Sequence, residues 1–390
     1  MTSPDTGSIL GRLVCPACSA DTDPDTVQGT CSTCGGPLLA TYELSRLDGK
    51  SWWRKVAGRE RSLWRYRELL PVRRVSSIAS LGEGLSPVLA LGPVPEAPGV
   101  EVLVKDDGGL PTGSFKARGM AVAVSRARDL GLSRLFVPSA GNAGVALAAY
   151  AARAGLHATV YLPRRAAVTS EAGARLYGAE VVRAGETIRD AGEAARTAEK
   201  ERGSFEMSTL REPYRVEGKK TMALEIAEQA GEAGLPEVVV YPTGGGTGLV
   251  GMHKGFTELR ELGLIEHEPR LVAVQAAGCA PIVRAIERGS PRAEAWEAPS
   301  TVAPGLLVPS PFGSERVLEA IRGSGGDART VTDAEILEGV LSLAARFGIS
   351  ASPEGAATWA VLPRLLREGV VRSGERVLLY NTGSGLPFLR

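Results

Sequence analysis

Residues 105–120 read KDDGGLPTGSFKARGM, and the reading of this stretch decides the fold. An apolar, β-branched run over 100–104 leads into it and predicts a strand, while 117–130 leads out and predicts a helix. Between them lie Gly108, Gly109, Pro111, Gly113 and Ser114, with Lys116 at the mouth of the helix. A loop of this kind turns backbone N–H groups toward a small polar object at a helix N-terminus. The positive end of the helix dipole disfavours a second positive charge at that place. Together with burial, this would lower the lysine pKa and present an amine for Schiff-base chemistry. A solvated first-turn lysine is the plain alternative.

Outward from this stretch, strands and helices alternate. Strands are expected at 134–138, 158–162 and 180–183, with helices over 143–154, 168–177 and 188–200. A second series places helices at 217–232 and 247–262 and strands at 237–241 and 270–275. Helices 333–347 and 353–368 precede a last strand, 375–380. Such alternation, with short glycine turns, predicts parallel sheets covered on both faces. Two such sheets would set their loops around a cleft where strand ends and helix N-termini meet ligands. Residues 323–327, GSGGD, read as a loop, and 81–87, LGEGLSP, as a structural glycine turn. Residues 51–70, SWWRKVAGRERSLWRYRELL, read as an amphipathic connection that packs Trp and Leu and sends Arg to solvent. Residues 1–10 are polar and expected to be disordered.

Two further glycine motifs fall at predicted strand–helix junctions. In YPTGGGTG, residues 241–248, three successive glycines let the main chain wrap an anion and Thr247 can add a hydroxyl. A flexible turn leading into a helix is the alternative. The stretch fits neither the G-x-x-x-x-G-K-[ST] nucleotide loop nor the dinucleotide G-x-G-x-x-G pattern. SAGNAG, residues 139–144, also opens a helix, and taken alone makes Asn142 a helix cap.

The S-F-K core of PTGSFKARG, then SAGNAG, then TGGGTG, in that order, closely resemble the fold-type-II pyridoxal-phosphate enzymes of the tryptophan-synthase-β type. Within that superfamily the chain looks most like the threonine synthases, from about residue 63 to residue 386. The resemblance implies pyridoxal 5'-phosphate held by Lys116, with Phe115 beside it. It implies Gly244, Gly245, Gly246, Thr247 and Gly248 at the cofactor phosphate and Asn142 at the ring hydroxyl. NTGSG, residues 381–385, resembles the family's T-G-x-G-L segment and implies Thr382 at the pyridine nitrogen, with Ser384 a rival. PYRVEGKKT, residues 213–221, resembles a segment whose arginine binds a substrate phosphate, which implies Arg215; Lys219 and Lys220 are lesser candidates. A surface arginine is the plain reading of the same residue. Thr112, Ser114 and Ser139 are substrate-binding candidates, Thr112 and Ser139 for a carboxylate.

The implied fold is two parallel-sheet α/β domains around a cleft. The large cofactor-binding domain would be 45–115 with 217–390, and the small α/β domain 116–216. The implied activity is that of a lyase turning O-phosphohomoserine and water into threonine and phosphate, by γ-elimination and β-addition. A homodimer acting on a small amino-acid substrate is implied as well. One departure stands out: threonine synthases commonly carry an acidic residue after the lysine, where this chain has Ala117. Related dehydratases have an apolar residue there. The alternatives are β-replacement or dehydratase chemistry on a serine-, threonine- or phosphoserine-like substrate, cysteate synthase included, and a cofactor-binding regulator, against which an intact Lys116 speaks.

Cysteine spacing gives a separate signal. Cys15-Pro-Ala-Cys18 and Cys31-Ser-Thr-Cys34 stand twelve residues apart, the spacing of a zinc ribbon over 11–44. Disulfides and free thiols are the alternatives, the former disfavoured without a secretion signal. Four thiolates would close the metal's shell and leave no position for catalysis. Many threonine synthases begin with a similar ribbon. Cys279 reads as a small buried thiol, and Glu354 as a carboxylate meeting a helix dipole. His157, His253 and His267 are scattered without metal spacing.

At 390 residues the chain has room for two or three domains, and a net charge of +1 gives no case for nucleic-acid or membrane attraction. Aromatics at 5% argue against a base-stacking surface. No apolar run approaches the roughly 20 residues of a membrane span, and the first residues lack a signal-peptide pattern. A cytoplasmic enzyme is therefore expected.

Overall fold

Val238–Pro242, VVVYP, is buried at every position, as a strand covered on both faces must be. In the computed structural model, which describes residues 5–388, it lies inside a six-stranded sheet. The order is Asp327–Val331, Arg270–Ala276, Val238–Pro242, Arg376–Asn381, Glu101–Asp106, Val88–Ala90. All neighbours run parallel except Val88–Ala90, which pairs antiparallel at the edge. Helix Pro353–Arg367 presses Ala356, Ala357, Val361, Leu362 and Leu365 into one core with Val238, Val240, Val272 and Val377. Lys105 is fully buried in its strand, where Nζ reaches Glu225 Oε2 at 2.8 Å, Gln229 Oε1 at 2.8 Å and the Ser86 carbonyl at 2.7 Å. Removing one partner of such a buried pair costs about 3–5 kcal/mol, so this lysine is structural.

The chain divides into two compact units. One holds the residues up to Gly84 with Lys116–Thr221; the other holds Leu85–Phe115 and the residues from Met222 onward. The second contains the six-stranded sheet. The first contains a parallel four-stranded sheet, ordered Glu180–Arg183, His157–Leu162, Arg134–Pro138, Phe205–Glu206. It also contains the N-terminal ribbon, an antiparallel sheet ordered Asp21–Thr22, Leu10–Val14, Leu39–Tyr42. The fold class is thus the expected one: two parallel-sheet α/β parts and a small ribbon.

The expected domain limits put 45–84 with the C-terminal part, whereas the compact unit closes at Gly84. Two buried carboxylates account for the difference. Glu83 accepts from Trp64 Nε1 at 2.9 Å and from Tyr150 OH at 2.7 Å, which ties the segment to helix Asn142–Ala154. Asp129 accepts from the Arg73 N–H at 2.8 Å, from Arg74 Nε at 2.8 Å and from Ser77 Oγ at 3.0 Å.

Other local expectations are corrected. Residues 1–4 of the stretch expected to be disordered lie outside the described residues, but 5–10 are ordered. Thr6 Oγ1 donates to the Val72 carbonyl and Ser8 Oγ to the Leu70 carbonyl, each at 2.5 Å. In 51–70 not every arginine reaches solvent: Arg65 is buried and donates to the carbonyls of Val56 and Ala57. The loop at 323–327 is only a brief turn from helix Ser314–Gly323 to strand Asp327–Val331. Helix Tyr214–Ala230 starts before the expected 217, because the Glu212 carboxylate accepts the N–H groups of Tyr214 and Arg215 and caps its first turn.

Candidate functional site

In the unit with the six-stranded sheet, strand Glu101–Asp106 runs into the turns Asp107–Gly109 and Pro111–Gly113. Asp107 receives the hydroxyls of Ser86 and Tyr380 at 2.6 and 3.0 Å. Asp106 receives Asn381 Nδ2 and the Gly108 N–H, both at 2.8 Å. The loop is then zipped to the turn after strand Arg376–Asn381. Phe115 N–H donates to the Thr382 carbonyl at 3.0 Å, and Ser384 N–H to the Gly113 carbonyl at 2.9 Å. Thr112 is held at φ 62°, which costs a β-branched residue about 1–3 kcal/mol. The hydroxyls of Thr112 and Ser114 are buried without a protein partner. Such groups fit a polar ligand able to supply the bonds they need.

The glycine motif lies in the same unit. Strand Val238–Pro242 leads through Thr243 into the glycines, and helix Thr247–Glu261 starts from Gly246 at φ 72° with no side chain capping its first turn. Uncapped first-turn N–H groups suit an anion. Larger residues would not fit: a Cβ on Gly244 would strike the Gly305 carbonyl, on Gly246 Val317, and on Gly248 the Tyr241 ring. Glu354 Oε1 accepts the Gly305 N–H at 2.6 Å, so this carboxylate braces the wall behind Gly244 besides meeting its helix dipole. Phe115, Tyr241 and Tyr380 form an edge-to-face row with centroids 6.2 and 5.3 Å apart. The Tyr241 ring thus stands between Phe115 and Gly248, and the uncapped helix start is a feature that suits an anion.

In the other unit, Lys116 is the first residue of helix Lys116–Asp129 and is half-buried, with Ala117 fully buried behind it. Asn142 is the first residue of helix Asn142–Ala154, but the cap position is Gly141. The turn is closed by Ser139 instead, whose Oγ accepts the N–H groups of Gly144 at 3.0 Å and Gly141 at 3.3 Å. The Asn142 amide stays outside these bonds, while the Ser139 hydroxyl is committed to them. Arg215 is 2% exposed; Nη1 donates to the Met207 carbonyl at 2.7 Å and Nε has no partner. Its helix meets the helix of Lys116 at Gly218, where an added Cβ would strike the Arg118 carbonyl. Lys219 and Lys220 are buried too, and Lys220 Nζ lies 2.8 Å from Glu217 Oε2.

Burial pushes the Glu212 carboxyl up from 4.5 to about 7, against the pull of Arg215, the two N–H donors and Lys219. The folded chain therefore holds this proton more tightly than the unfolded one. The stability so gained is complete below about pH 4.5 and lost as pH rises through about 7, on the order of 3 kcal/mol in all. Glu212→Gln should flatten the fall of Tm between roughly pH 5 and 8. Parallel Tm–pH curves for variant and wild type would refute this.

In the ribbon, the four thiol sulfurs all lie within 4.8 Å of one another. Cys15 and Cys34 Sγ are 3.4 Å apart and Cys18 and Cys31 Sγ 3.6 Å. These separations are too long for disulfides and close to the edge of a tetrahedron with metal–sulfur bonds of about 2.3 Å. The two knuckles use the same turn, with Ser19 at φ 60° after the first and Gly35 at φ 72° after the second. The N–H group of Cys34, and after it that of Thr33, pulls the Cys31 thiol down to about 6, while Cys18 is raised to about 12 and Cys34 is raised as well, so without an ion the four sulfurs do not all hold thiolates. The donor set fits zinc. Cys31→Ser should lose the ion, seen as metal per chain by mass spectrometry, and lower Tm by several degrees. The visible absorbance of bound cofactor should survive, because the shell has no open position; its loss in a folded variant would overturn the separation.

The Glu83 and Asp129 anchors and the Asp25 contact described below went unread in the sequence. Glu83 carried a weak signal, a lone carboxylate inside LGEGLSP; the others carried none.

Known proteins resemble this chain. The family described as pyridoxal-phosphate dependent enzyme matches residues 79–383. The threonine synthase of Methanocaldococcus jannaschii is 36% identical over 374 residues, 95% of this chain and 92% of that one. The threonine synthase of Methanosarcina acetivorans is 37% identical over 95% of this chain and 91% of its own. Among solved structures, a T.th. threonine deaminase is 26% identical with a TM-score of 0.63, covering 86% of this chain and 97% of its own. Maize serine racemase, at 19% identity and a TM-score of 0.65 over 77% of this chain and 88% of its own, shares the fold.

Proposed function

The chain belongs to the pyridoxal-phosphate dependent enzymes, and on that premise we propose that it is a threonine synthase, a lyase that takes O-phosphohomoserine and water to threonine and phosphate. The observation that carries this reading is the likeness to threonine synthases over 95% of the chain. The chain's residues take the following roles. Lys116 provides the amine that links the cofactor and then holds a proton for transfer at the substrate carbons. Gly244, Gly245, Gly246, Thr247 and Gly248 would receive the cofactor phosphate, and Asn142 would donate its amide to the ring hydroxyl. Phe115 would lie beside the ring, and Thr382 would offer a neutral hydroxyl to its nitrogen. When bound, the cofactor supplies an electron sink that acidifies the substrate's Cα–H. A neutral partner at the nitrogen weakens that sink and leaves more of the proton handling to Lys116.

Thr112 and Ser114 offer their hydroxyls to the substrate, as does Ser139 once its turn contacts are exchanged. Arg215 pairs with the substrate phosphate, for which its planar fork is suited. Residues 11–44 act as a structural zinc ribbon, Leu85–Phe115 with the residues from Met222 onward as the part that takes the cofactor phosphate, and Lys116–Thr221 as the smaller α/β part. Among the described residues no helix is long and apolar enough to cross a membrane. The working form in this reading is a cytoplasmic homodimer without nucleic-acid partners.

Ala117 and the likeness to threonine deaminase favour a dehydratase as the second reading. The test is one panel of O-phosphohomoserine, O-phosphoserine, threonine and serine, read for released phosphate and for keto acid. Equal amounts of phosphate and threonine from O-phosphohomoserine support the proposal. Deamination of threonine without phosphate release refutes it.

A further inference from the structure

The ribbon grips the segment that carries Arg215 at three places. Gly29 sits so close to the Arg211 carbonyl that an added Cβ would stand 3.0 Å from it. The Pro24 carbonyl accepts Tyr214 OH at 2.8 Å and Arg126 Nη2 at 2.8 Å. The Tyr42 ring lies under Lys220 Nζ, 3.7 Å from its centroid. Arg215 falls between the second and third of these places. Arg126 is the keystone: buried to 1% exposure, it also donates to Asp25 Oδ1 at 2.5 Å and Asp129 Oδ2 at 2.7 Å, and stacks over the Tyr214 ring at 5.5 Å. Burial works against the Asp25 carboxylate, but Arg73 and Arg126 outweigh it and hold its pKa below the ordinary value.

Pro24 and Asp25 lie on the loop from Cys18 to Cys31, which an ion bound to both knuckles would close and order. Without that closure, two buried donors lose their shared acceptor, and the start of helix Tyr214–Ala230 loses its anchor. We propose that the metal-loaded ribbon, through Pro24 and Asp25, positions the first turn of the Arg215 helix and so sets the enzyme's affinity for the phosphate end of its substrate. Asp25 and Tyr214 are then positioning residues; neither touches substrate. The inference rests on Arg215 binding phosphate.

The test uses the full-length holoenzyme and the variants Asp25→Asn, Tyr214→Phe and Arg215→Lys. Metal content, KM and kcat for O-phosphohomoserine, and the inhibition constant of inorganic phosphate are measured for each. Asp25→Asn and Tyr214→Phe should keep their metal and a kcat within about twofold, while KM and the phosphate constant rise roughly three- to tenfold. Wild type stripped of metal by a chelator should show the same rise, and metal restored to it should reverse the effect. An unchanged KM in both positioning variants, with Arg215→Lys raising it, overturns the ribbon's role and leaves Arg215 in place. A fall in kcat at constant KM also overturns it, since general loosening acts in that way. An unchanged phosphate constant in Arg215→Lys removes the underlying reading, and the proposal with it.

Discussion

Lys116→Ala is expected to lose turnover by at least about 10³–10⁴-fold and to leave no borohydride-stable bond between chain and cofactor. Lys219 Nζ lies beside Gly119 of the helix that Lys116 opens but is buried there. Lys105, the nearest lysine in sequence, is tied to Glu225, Gln229 and a carbonyl inside the sheet. Cofactor phosphate should still bind through the 244–248 turn, so the variant is expected to take up cofactor reversibly and to release it on dialysis. Peptide mapping after reduction of the wild type decides the matter. A label on any lysine other than Lys116, or turnover retained by the folded variant, would sink the assignment.

The second large effect is expected at Arg215. Its guanidinium donates to the Met207 carbonyl, leaves Nε without a partner and has almost no contact with solvent. The neighbouring Glu212 carboxyl, which burial raises to about 7, only partly offsets this charge. Arg215→Ala should cost about 2–4 kcal/mol of transition-state stabilisation with O-phosphohomoserine, a fall in kcat/KM of roughly thirty- to a thousandfold. Cofactor absorbance should hardly change. Because Glu212 would lose its neighbouring charge, Tm is measured alongside, and Arg215→Lys serves as the gentler variant: it keeps the charge and loses the fork. Full activity in either variant would show that the phosphate is bound elsewhere.

The parts of the fold legible in the sequence were those written locally. Apolar runs such as 238–242 and alanine-rich stretches such as 143–154 betray buried strands and helices by themselves. Glycine motifs at their junctions place the turns. Helix Ser314–Gly323 and strand Asp327–Val331 went unread because glycines 323, 325 and 326 read as a loop and masked short elements on either side. The site shows the same division. Lys116, Asn142 and the 244–248 turn stand out as candidates from their neighbours in sequence, whereas the burial of Arg215 does not. Its burial depends on Met207 and Glu212, and the ribbon's hold on its helix depends on residues nearly two hundred positions away. Asp25 looks like any loop acid until Arg126 and Arg73 are seen around it.

The burial of Lys105, Lys219 and Lys220 has a consequence for the chemistry of aldehydes in solution. Only eight of the chain's forty-five basic residues are lysines; the rest are arginines, which stay protonated and form no Schiff base with a simple aldehyde. With those three sealed in and Lys254 paired with Glu258, the exposed lysines are Lys50, Lys55 and Lys200. A reactive aldehyde approaching this protein therefore finds few lysine competitors to Lys116. Off-target carbonyl adducts should be sparse even under excess aldehyde, because most of the surface's positive charge sits on groups that are not nucleophiles.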